Sequence, residues 1–328
     1  MASNMHTVTL GRSGLRVSRI VFGTWQLGGD WGSFDEGTAI QAIRHARERG
    51  VTFFDTAQAY GFGRAEALLG RALREDLERD RDSVVIATKG GINPSSDRPR
   101  DARRHWLRRG VEESLRQMGV EFIDLYQVHW PDPDTPAEET ADALQELVDE
   151  GKIRHVGVSN YDAAQLAAFD AVRPVETLQP PYHLFQRQIE AGLLPYCRAH
   201  DIGVLVYSPL GSGLLTGALT PDTAFEADDW RSQSSAFTGD NLRHNLRIVD
   251  RLKVFAADHG LTVSQLAIAW ALATPGVHAA IVGARRPEHI EASLAAADID
   301  LTDADVAQIE QLTADAIPVT GANPEGVA

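Results

Sequence analysis

Val51-Thr-Phe-Phe-Asp-Thr-Ala-Gln-Ala-Tyr-Gly61 decides the fold, because a short apolar run in this stretch stops abruptly at an acid. Residues 51–54 are few, β-branched and aromatic, and they follow a glycine that ends a helical pattern, which predicts a buried strand. Asp55 then lies at the carboxyl end of this strand and Tyr60 on the loop beyond it. In barrels of alternating strands and helices this end carries the chemistry. For the pair alone, a loop-bonded Asp and a packed Tyr remain the favoured interpretation.

Two later strands end in the same way. The apolar run 83–88 leads into Lys89, and the run 122–128 leads into His129. A single lysine or histidine at a strand end is usually a surface charge or a loop histidine with satisfied hydrogen bonds. Four such residues on the ends of three successive strands indicate a shared site.

The alternation of strands and helices predicts an α/β fold, a closed (β/α)8 TIM barrel forming a single domain over residues 1–328. Eight strands are predicted to begin near residues 19, 52, 83, 122, 153, 175, 202 and 278. A hairpin of residues 7–10 and 15–17 precedes them and is placed to plug one end. Residues 208–240, after the seventh strand, form a long loop typical of a lid. Extra helices follow towards the C-terminus, over 241–259, 263–273, 287–296 and 303–315.

Several helix starts carry capping signals. Residues 33–36 and 135–138 fit capping boxes, and Thr262 and Thr302 precede two of the C-terminal helices. In a capping box the hydroxyl of the first residue accepts a hydrogen bond from a backbone N–H of the helix. The acidic side chain three residues later accepts one from the backbone N–H of the first residue.

Composition excludes several classes of function. The 328 residues carry a net charge of -15, which gives no basic surface for nucleic acid or an anionic membrane. The single cysteine, Cys197, cannot form an intramolecular disulfide and has no partners for a metal cluster, in agreement with a reducing compartment. No stretch approaches the roughly 18 apolar residues of a membrane span, and the first residues lack the basic, apolar and small-residue progression expected of a secretory signal. We therefore expect a cytoplasmic protein with no bound metal.

Motifs in a fixed order give the chain a resemblance to a known family. They are Phe-Asp-Thr-Ala-X-Ala-Tyr-Gly at 54–61, Ala-Thr-Lys-Gly at 87–90, Gln-Val-His-Trp-Pro-Asp-Pro at 127–133, Gly-Lys-Ile-Arg-X-Val-Gly-Val-Ser-Asn at 151–160 and Tyr-Ser-Pro-Leu at 207–210. Over nearly its whole length the chain resembles the aldo-keto reductases. Further motifs at 60–63, 179–182, 225–229 and 283–285 are most similar to bacterial general-stress-type members.

The resemblance implies reversible transfer of a hydride from NADPH to an aldehyde or ketone. The alkoxide formed must gain a proton, so an acid has to lie beside the carbonyl oxygen, and Tyr60 is the candidate. A free phenol has a pKa near 10, so it needs a nearby positive charge to stabilise its anion, and Lys89 can supply this charge. Asp55 would hold Lys89, and His129 would bond the carbonyl oxygen. These four residues match the catalytic tetrad of the family.

The resemblance also implies a site for the cofactor. Ser159, Asn160 and Gln179 would bond the nicotinamide amide, and Tyr207 would stack on its ring. Arg285 and Arg286 would bind the 2′-phosphate of NADPH, which NADH lacks. The full set of predicted cofactor residues is Gly23, Thr24, Trp25, Asp55, Ser159, Asn160, Gln179, Tyr207, Ser208, Leu210, Ser212, Gly213, Leu215, Gly283, Arg285, Arg286, His289 and Ser293.

Purely structural interpretations of these residues stay open. Ser159-Asn160 also fits a helix cap, Tyr207 core packing, and the two arginines a solvated pair ahead of a helix. Family members often carry Gln and Asn where this chain has His289 and Ser293, so NADH remains a possible but less favoured cofactor.

The predicted partner is a small carbonyl compound, bound in an apolar cleft with few polar groups. The residues expected to line this cleft are Trp25, Trp31, Tyr60, His129 and Trp130. Trp31 can equally pack under a loop. The protein is expected to act as a monomer or a small homo-oligomer.

Three hypotheses compete with the reductase. A Schiff-base aldolase would use Lys89 as its nucleophile. A sensor would bind NADPH with little turnover, as channel-associated members of the superfamily suggest. A metal-dependent hydrolase would use His129, Asp132 and Asp134, although prolines 131 and 133 favour an extended loop there.

Overall fold

The structure, a computed structural model, describes residues 5–29, 34–226 and 229–321. It begins with an antiparallel hairpin of β1 (Thr7–Thr9) and β2 (Arg16–Ser18). Eight parallel strands then pair in chain order, and the last pairs with the first to close a barrel. These strands are β3 (Ile20–Gly23), β4 (Phe53–Asp55), β5 (Val85–Gly90), β6 (Ile123–Val128), β7 (Ile153–Ser159), β8 (Thr177–Gln179), β9 (Gly203–Tyr207) and β10 (Ala279–Gly283). The predicted (β/α)8 barrel with its N-terminal hairpin is confirmed.

Helices connect the strands and cover the outside of the barrel. They are α1 (Glu36–Glu48), α2 (Arg64–Arg79), α3 (Arg104–Met118), α4 (Ala137–Asp149), α5 (Ala163–Val172), α6 (Leu193–Ala199), α7 (Gly239–Asp258), α8 (Val263–Ala273), α9 (Pro287–Leu294) and α10 (Asp303–Leu312). Within the described ranges, none of them combines the length and the apolar character needed to cross a bilayer.

The caps of these helices agree only partly with the sequence signals. Thr262 and Thr302 form capping boxes with Gln265 and Asp305, as expected. The first residue of the capping box predicted at 33–36 lies outside the described residues, and helix α1 begins after Asp35, whose carboxylate accepts a hydrogen bond from the backbone N–H of Thr38. The capping box predicted at 135–138 is wrong, because the Thr135 hydroxyl donates to Asp132 at 2.5 Å and α4 begins without a side-chain cap.

Two apolar clusters build the core. The outer cluster lies between the barrel and its helices, and the inner one fills the barrel with side chains such as Val21, Phe53 and Leu125. Leu10 and Val17 of the hairpin join the inner cluster. Because the backbone N–H of Arg12 donates to the Asp201 carbonyl just before β9, the hairpin closes the end where the strands begin. The opposite end, formed by the carboxyl ends of the strands, is therefore the open one.

The long connection after β9 is built from three short 3-10 turns, Gly211–Thr216, Trp230–Ser232 and Ser235–Phe237. Phe225 and Trp230 pack edge-on against the buried Phe237, with ring centroids 5.9 and 5.4 Å away. This apolar contact gives the loop a small core of its own, as expected for a compact surface loop.

Candidate active site

Strand register brings Asp55, Tyr60, Lys89 and His129 to the open end. Asp55 pairs with Ala87 across β4 and β5, and Lys89 pairs with Gln127 across β5 and β6, which places His129 one residue beyond β6 at the same rim. All four are buried, with Lys89 at 0% exposure and Tyr60 at 7%. The sequence prediction that these residues meet is in agreement with the geometry.

Lys89 is fully enclosed, and its ammonium group has three oxygen partners. Nζ donates to Asp55 Oδ1 at 2.6 Å, to the Thr56 carbonyl oxygen at 2.9 Å and to the Tyr60 hydroxyl oxygen at 3.3 Å. An ammonium has three N–H donors, so all of them are used. A buried charge is tolerated when it is paired and hydrogen-bonded in this way. The positive charge is consequently directed at a phenolic oxygen.

The loop that carries Tyr60 is held tightly against a neighbouring turn. The Tyr60 N–H donates to the Ala57 carbonyl at 3.0 Å. Gly61 follows with φ of 64°, and a Cβ at this position would lie 2.3 Å from the carbonyl oxygen of Gly28. A side chain does not fit there, so the close contact of two backbones fixes the position of the phenol.

His129 is fixed through its backbone. Its N–H donates to the Gly90 carbonyl at 2.9 Å, and its carbonyl accepts from Asn160 Nδ2 at 3.0 Å. The imidazole ring lies edge-on to the Tyr60 ring, with centroids 5.7 Å apart and planes at 76°. The two rings therefore face the same space from adjacent positions.

A hydrogen-bonded row joins the ends of β7, β8 and β9. Ser159 Oγ donates to the Gln179 carbonyl at 2.8 Å, Asn160 Nδ2 donates to Ser159 Oγ at 3.1 Å, and the Tyr207 hydroxyl donates to Asn160 Oδ1 at 2.8 Å. Gln179 Nε2 donates to Asp55 Oδ2 at 2.9 Å, which ties this row to the buried Lys89 pair. Gln179 Oε1 receives no hydrogen bond from the described residues, so this oxygen is available to a ligand amide.

Side chains at the carboxyl ends of the strands line one cavity of about 600 Å³. Of the predicted residues, it is lined by Gly23, Thr24, Trp25, Asp55, Tyr60, His129, Ser159, Asn160, Gln179, Tyr207, Ser208, Leu210, Ser212, Gly213, Gly283, Arg285, His289 and Ser293. A single concave space of this size suits an elongated cofactor together with a small substrate.

The structure does not bring every predicted residue to this wall. Leu215 is buried behind it, and Arg286 precedes α9 outside it. Trp130 packs instead against Ala59 and Ile92. Trp31 lies outside the described residues.

Other wall residues were missed by sequence reasoning. They are Gln26, Pro209, Thr216, Ala218, Leu219, Arg231, Ser264, Ile281, Val282 and Ala292. Ile281 lies two residues before Gly283 on β10, so strand periodicity could have found it. Arg231 lies in the irregular loop after β9, where no period gives a signal.

The chain between residues 208 and 213 has an unusual backbone. Ser208, Gly211, Ser212 and Gly213 all have positive φ, at 56°, 54°, 53° and 98°. Arg231 reaches back to this stretch and donates to the Ser212 carbonyl at 3.2 Å, while its guanidinium pairs with Asp229 at 2.6 Å. Residues well apart in the long loop thus meet on one side of the cavity.

The hypothesis of a metal-dependent hydrolase finds no support. Asp132 Oδ2 accepts from the Ala102 N–H and the Thr135 hydroxyl, and Asp134 pairs with Arg98 at 3.3 Å. Throughout the described ranges, no group of three His, Cys, Asp or Glu side chains is arranged to hold a metal ion.

A closed parallel barrel with acid-base groups gathered at the carboxyl ends of its strands defines a TIM-barrel enzyme. Comparison with known proteins gives the family. The model of the Aldo/keto reductase family matches residues 19–314, so the chain belongs to that family of oxidoreductases, whose members use nicotinamide cofactors.

Individual relatives agree with this assignment. The chain is 43% identical over 291 residues to the aldo-keto reductase YhdN of Bacillus subtilis (strain 168), covering 88% of this chain and 87% of the relative. It is 33% identical over 325 residues to the NADH-specific methylglyoxal reductase of Escherichia coli (strain K12), covering 94% and 98%. Among solved structures, the glycerol dehydrogenase AKR11B4 from Gluconobacter oxydans superposes with a TM-score of 0.86 at 36% identity, covering 98% of this chain and 99% of that one. The resemblance to aldo-keto reductases and the bacterial relationship are confirmed.

Proposed function

We propose that the protein is an NADPH-preferring oxidoreductase that reversibly reduces aldehydes or ketones to alcohols, with Tyr60 as the general acid and base. The observation that carries this proposal is the contact of 3.3 Å between the enclosed Lys89 ammonium and the Tyr60 hydroxyl oxygen at the cavity wall. The family and its relatives support carbonyl chemistry, and this contact gives that chemistry a proton donor.

Tyr60 supplies the proton that an alkoxide requires. When its hydroxyl proton passes to the substrate oxygen, the phenolate left behind is stabilised by the adjacent ammonium. In the reverse direction the same phenolate takes a proton from the alcohol. Two N–H groups of Lys89 donate to Asp55 and the Thr56 carbonyl, which holds its ammonium beside the phenol.

Asp55 and His129 position the reacting groups. The two carboxylate oxygens of Asp55 accept from Lys89 and Gln179, which fixes the lysine relative to the phenol. His129 presents its ring beside Tyr60 on the same wall, where it can bond the substrate carbonyl oxygen. Two groups aimed at one oxygen define the place where the carbonyl is bound.

The residues at the strand ends fit a reduced nicotinamide nucleotide. Ser159, Asn160 and Gln179 offer amide and hydroxyl groups to the carboxamide, and Tyr207 offers its ring. Bound NADPH supplies the hydride. The positive-φ stretch from Ser208 to Gly213 presents backbone groups suited to phosphate.

A preference for NADPH is supported by Arg285, which lines the cavity and whose guanidinium is suited to a 2′-phosphate. Arg286 does not line it, so the preference depends on one arginine rather than two. One relative, from Escherichia coli, is named NADH-specific, so the preference for NADPH over NADH has to be measured.

The decisive test is the Tyr60→Phe variant. We expect it to bind NADPH as tightly as the parent in a fluorescence titration and to reduce 4-nitrobenzaldehyde roughly 100- to 10,000-fold more slowly, because only the proton donor is removed. Tyr161→Phe is the matched control, since Tyr161 is equally buried and packs edge-on against Phe169. Reduction by Tyr60→Phe at near the parental rate would show that another group is the acid.

The aldolase and sensor hypotheses each have a direct test. For an aldolase, the amine of Lys89 would have to attack a carbonyl, yet all three of its donors bond Asp55, Thr56 and Tyr60. Borohydride trapping of a substrate on Lys89 would revive the aldolase. For a sensor, a stopped-flow trace with bound NADPH and 4-nitrobenzaldehyde would show no oxidation.

A further inference from the structure

Glu66, in the first turn of α2, is a buried acid that the proposed mechanism does not use. Its side chain has no exposed surface, and its Oε1 accepts the hydroxyl of Thr88 at 2.7 Å. Burial raises the pKa of the Glu66 carboxyl above its ordinary value. Because a buried carboxyl costs free energy that an apolar side chain would not, its position beside Thr88 requires an explanation.

The bond of Glu66 is made to the strand that carries the proposed ammonium. Thr88 directly precedes Lys89 on β5, and successive side chains of a strand point to opposite faces. Lys89 therefore reaches the Tyr60 hydroxyl inside the barrel, at 3.3 Å, whereas Thr88 meets α2 on the outside. One residue of β5 separates the contact with the phenol from the contact with Glu66.

The loop that carries Tyr60 is held against β5 at both of its ends. At its start, the Gln58 N–H donates to the Lys89 carbonyl at 3.0 Å. At its end, the Ala65 N–H donates to the Tyr60 carbonyl at 3.2 Å, and Glu66 is the next residue. The phenol thus lies between two attachments to neighbouring residues of one strand, and the second attachment is the side chain of Glu66.

We infer that Glu66 is a positioning residue for the proposed reaction, whose bond to Thr88 keeps Tyr60 at the distance from Lys89 at which the ammonium stabilises the phenolate. This inference rests on the proposed function and adds a residue to it. Because the attraction between an ammonium and a phenolate falls with their separation, loss of the bond leaves the phenol a weaker acid.

The test is the Thr88→Val variant, which removes the hydroxyl and keeps a β-branched side chain in the strand. In the parent, kcat for reduction of 4-nitrobenzaldehyde is expected to decline at alkaline pH, where the phenol has lost its proton. In T88V we expect this decline to begin roughly 1 pH unit higher, out of the roughly 1–3 units that a nearby opposite charge contributes. Thr88→Ser keeps the hydroxyl and should restore the parental pH profile.

Substitution of Glu66 tests the same bond from its other end. Glu66→Leu should shift the profile as T88V does, and it provides the measurement independently if T88V is not recovered folded. Glu66→Gln retains an oxygen that can accept from Thr88 and should keep the parental profile. The double variant E66L/T88V should shift it no further than either single variant, because both changes remove one bond.

Thr140→Val is the matched control. The Thr140 hydroxyl is also buried, and it donates to the Ala102 carbonyl at 3.1 Å, a contact that does not involve the Tyr60 loop. This variant should keep the parental pH profile even where urea unfolding shows that it is less stable.

A parental pH profile in both T88V and E66L overturns the inference and leaves the proposed function intact. An equal shift in Thr140→Val also overturns it, since the shift would then follow from the loss of any buried hydrogen bond. If Tyr60→Phe reduces the aldehyde at near the parental rate, the proposed function fails and this inference fails with it.

Discussion

At the scale of single residues, the candidate site depends on how one buried charge is compensated. Lys89 has no exposed surface, and Asp55, Thr56 and Tyr60 each accept a hydrogen bond from its ammonium group. Removing one partner of such a buried pair usually costs several kcal/mol, since the other charge is left uncompensated. The residues that would perform the chemistry are therefore also part of the structure that holds the open end of the barrel together.

The proposed preference for NADPH is tested at the same scale, by substitution of Arg285. We expect Arg285→Ala to weaken the binding of NADPH roughly 10- to 100-fold and to change the binding of NADH little, because only NADPH has the 2′-phosphate that a guanidinium would bond. Fluorescence titration with each nucleotide measures both constants. Arg286→Ala is the control and should have the smaller effect, since Arg286 lies outside the cavity wall. Equal losses for both nucleotides in Arg285→Ala would remove this arginine from the phosphate site.

The position of single residues on the rim could be predicted where each residue ended a recognisable strand. Asp55, Lys89 and His129 were found in this way, because the apolar runs before them fix their position on the rim. Arg231 was not found, since it lies in an irregular segment whose position depends on contacts with distant residues.

At the scale of elements, the contact between α2 and α3 positions the Tyr60 loop. Helix α2 begins at Arg64, four residues after Tyr60, and Gly70 in its second turn lies against the last residue of α3. A Cβ at residue 70 would be 2.2 Å from the Met118 carbonyl oxygen, so the two helices meet backbone to backbone. Any side chain there would separate them.

We accordingly expect Gly70→Ala to destabilise the protein by roughly 1–3 kcal/mol, although alanine is the better helix former in isolation. Urea unfolding followed by circular dichroism measures this change. Glu75→Ala, at an exposed position of the same helix, should leave the free energy of unfolding nearly unchanged. A Gly70→Ala variant as stable as the parent would mean that the helices separate without cost.

Helix starts show where local rules succeed and where they fail. Thr262 and Thr302 cap their helices through residues three positions later, so the signal is entirely local. Thr135 carries the same signal, but its hydroxyl bonds Asp132, and that carboxylate also accepts the distant Ala102 N–H. A bond to a carboxylate three residues earlier, which the distant Ala102 N–H also contacts, replaced the expected cap.

At the scale of the whole molecule, packing of the loops buries titratable groups. His183 lies where the segment after β8 meets the loop after β9, and a Cβ on Gly211 would be 3.4 Å from its Nδ1. Burial lowers the pKa of His183 from its ordinary value of 6.5 to about 4. Its Nδ1 accepts the Phe185 N–H at 3.2 Å, which agrees with a neutral ring.

This shift makes stability depend on pH. As the pH falls from 6.5 towards 4, the histidine of the unfolded chain takes up a proton before that of the folded chain, so the free energy of unfolding decreases, by at most about 3 kcal/mol. In His183→Asn the amide oxygen can replace Nδ1 as the acceptor, and we expect a shallower dependence over this range. Urea unfolding at several pH values measures it, with exposed His105→Asn as the control. Identical pH profiles for the parent and His183→Asn would contradict the burial of a neutral ring.

The sequence by itself determined the order of the strands and helices, the barrel, and the acid, phenol, lysine and histidine at its rim. It could do so because apolar periodicity and strand ends are local signals, and parallel strands bring their carboxyl ends to one side. Only the tertiary structure decided that Lys89 uses all of its donors and that Arg285 rather than Arg286 reaches the cavity. Those outcomes depend on loops whose conformations are set by contacts between residues far apart in the chain.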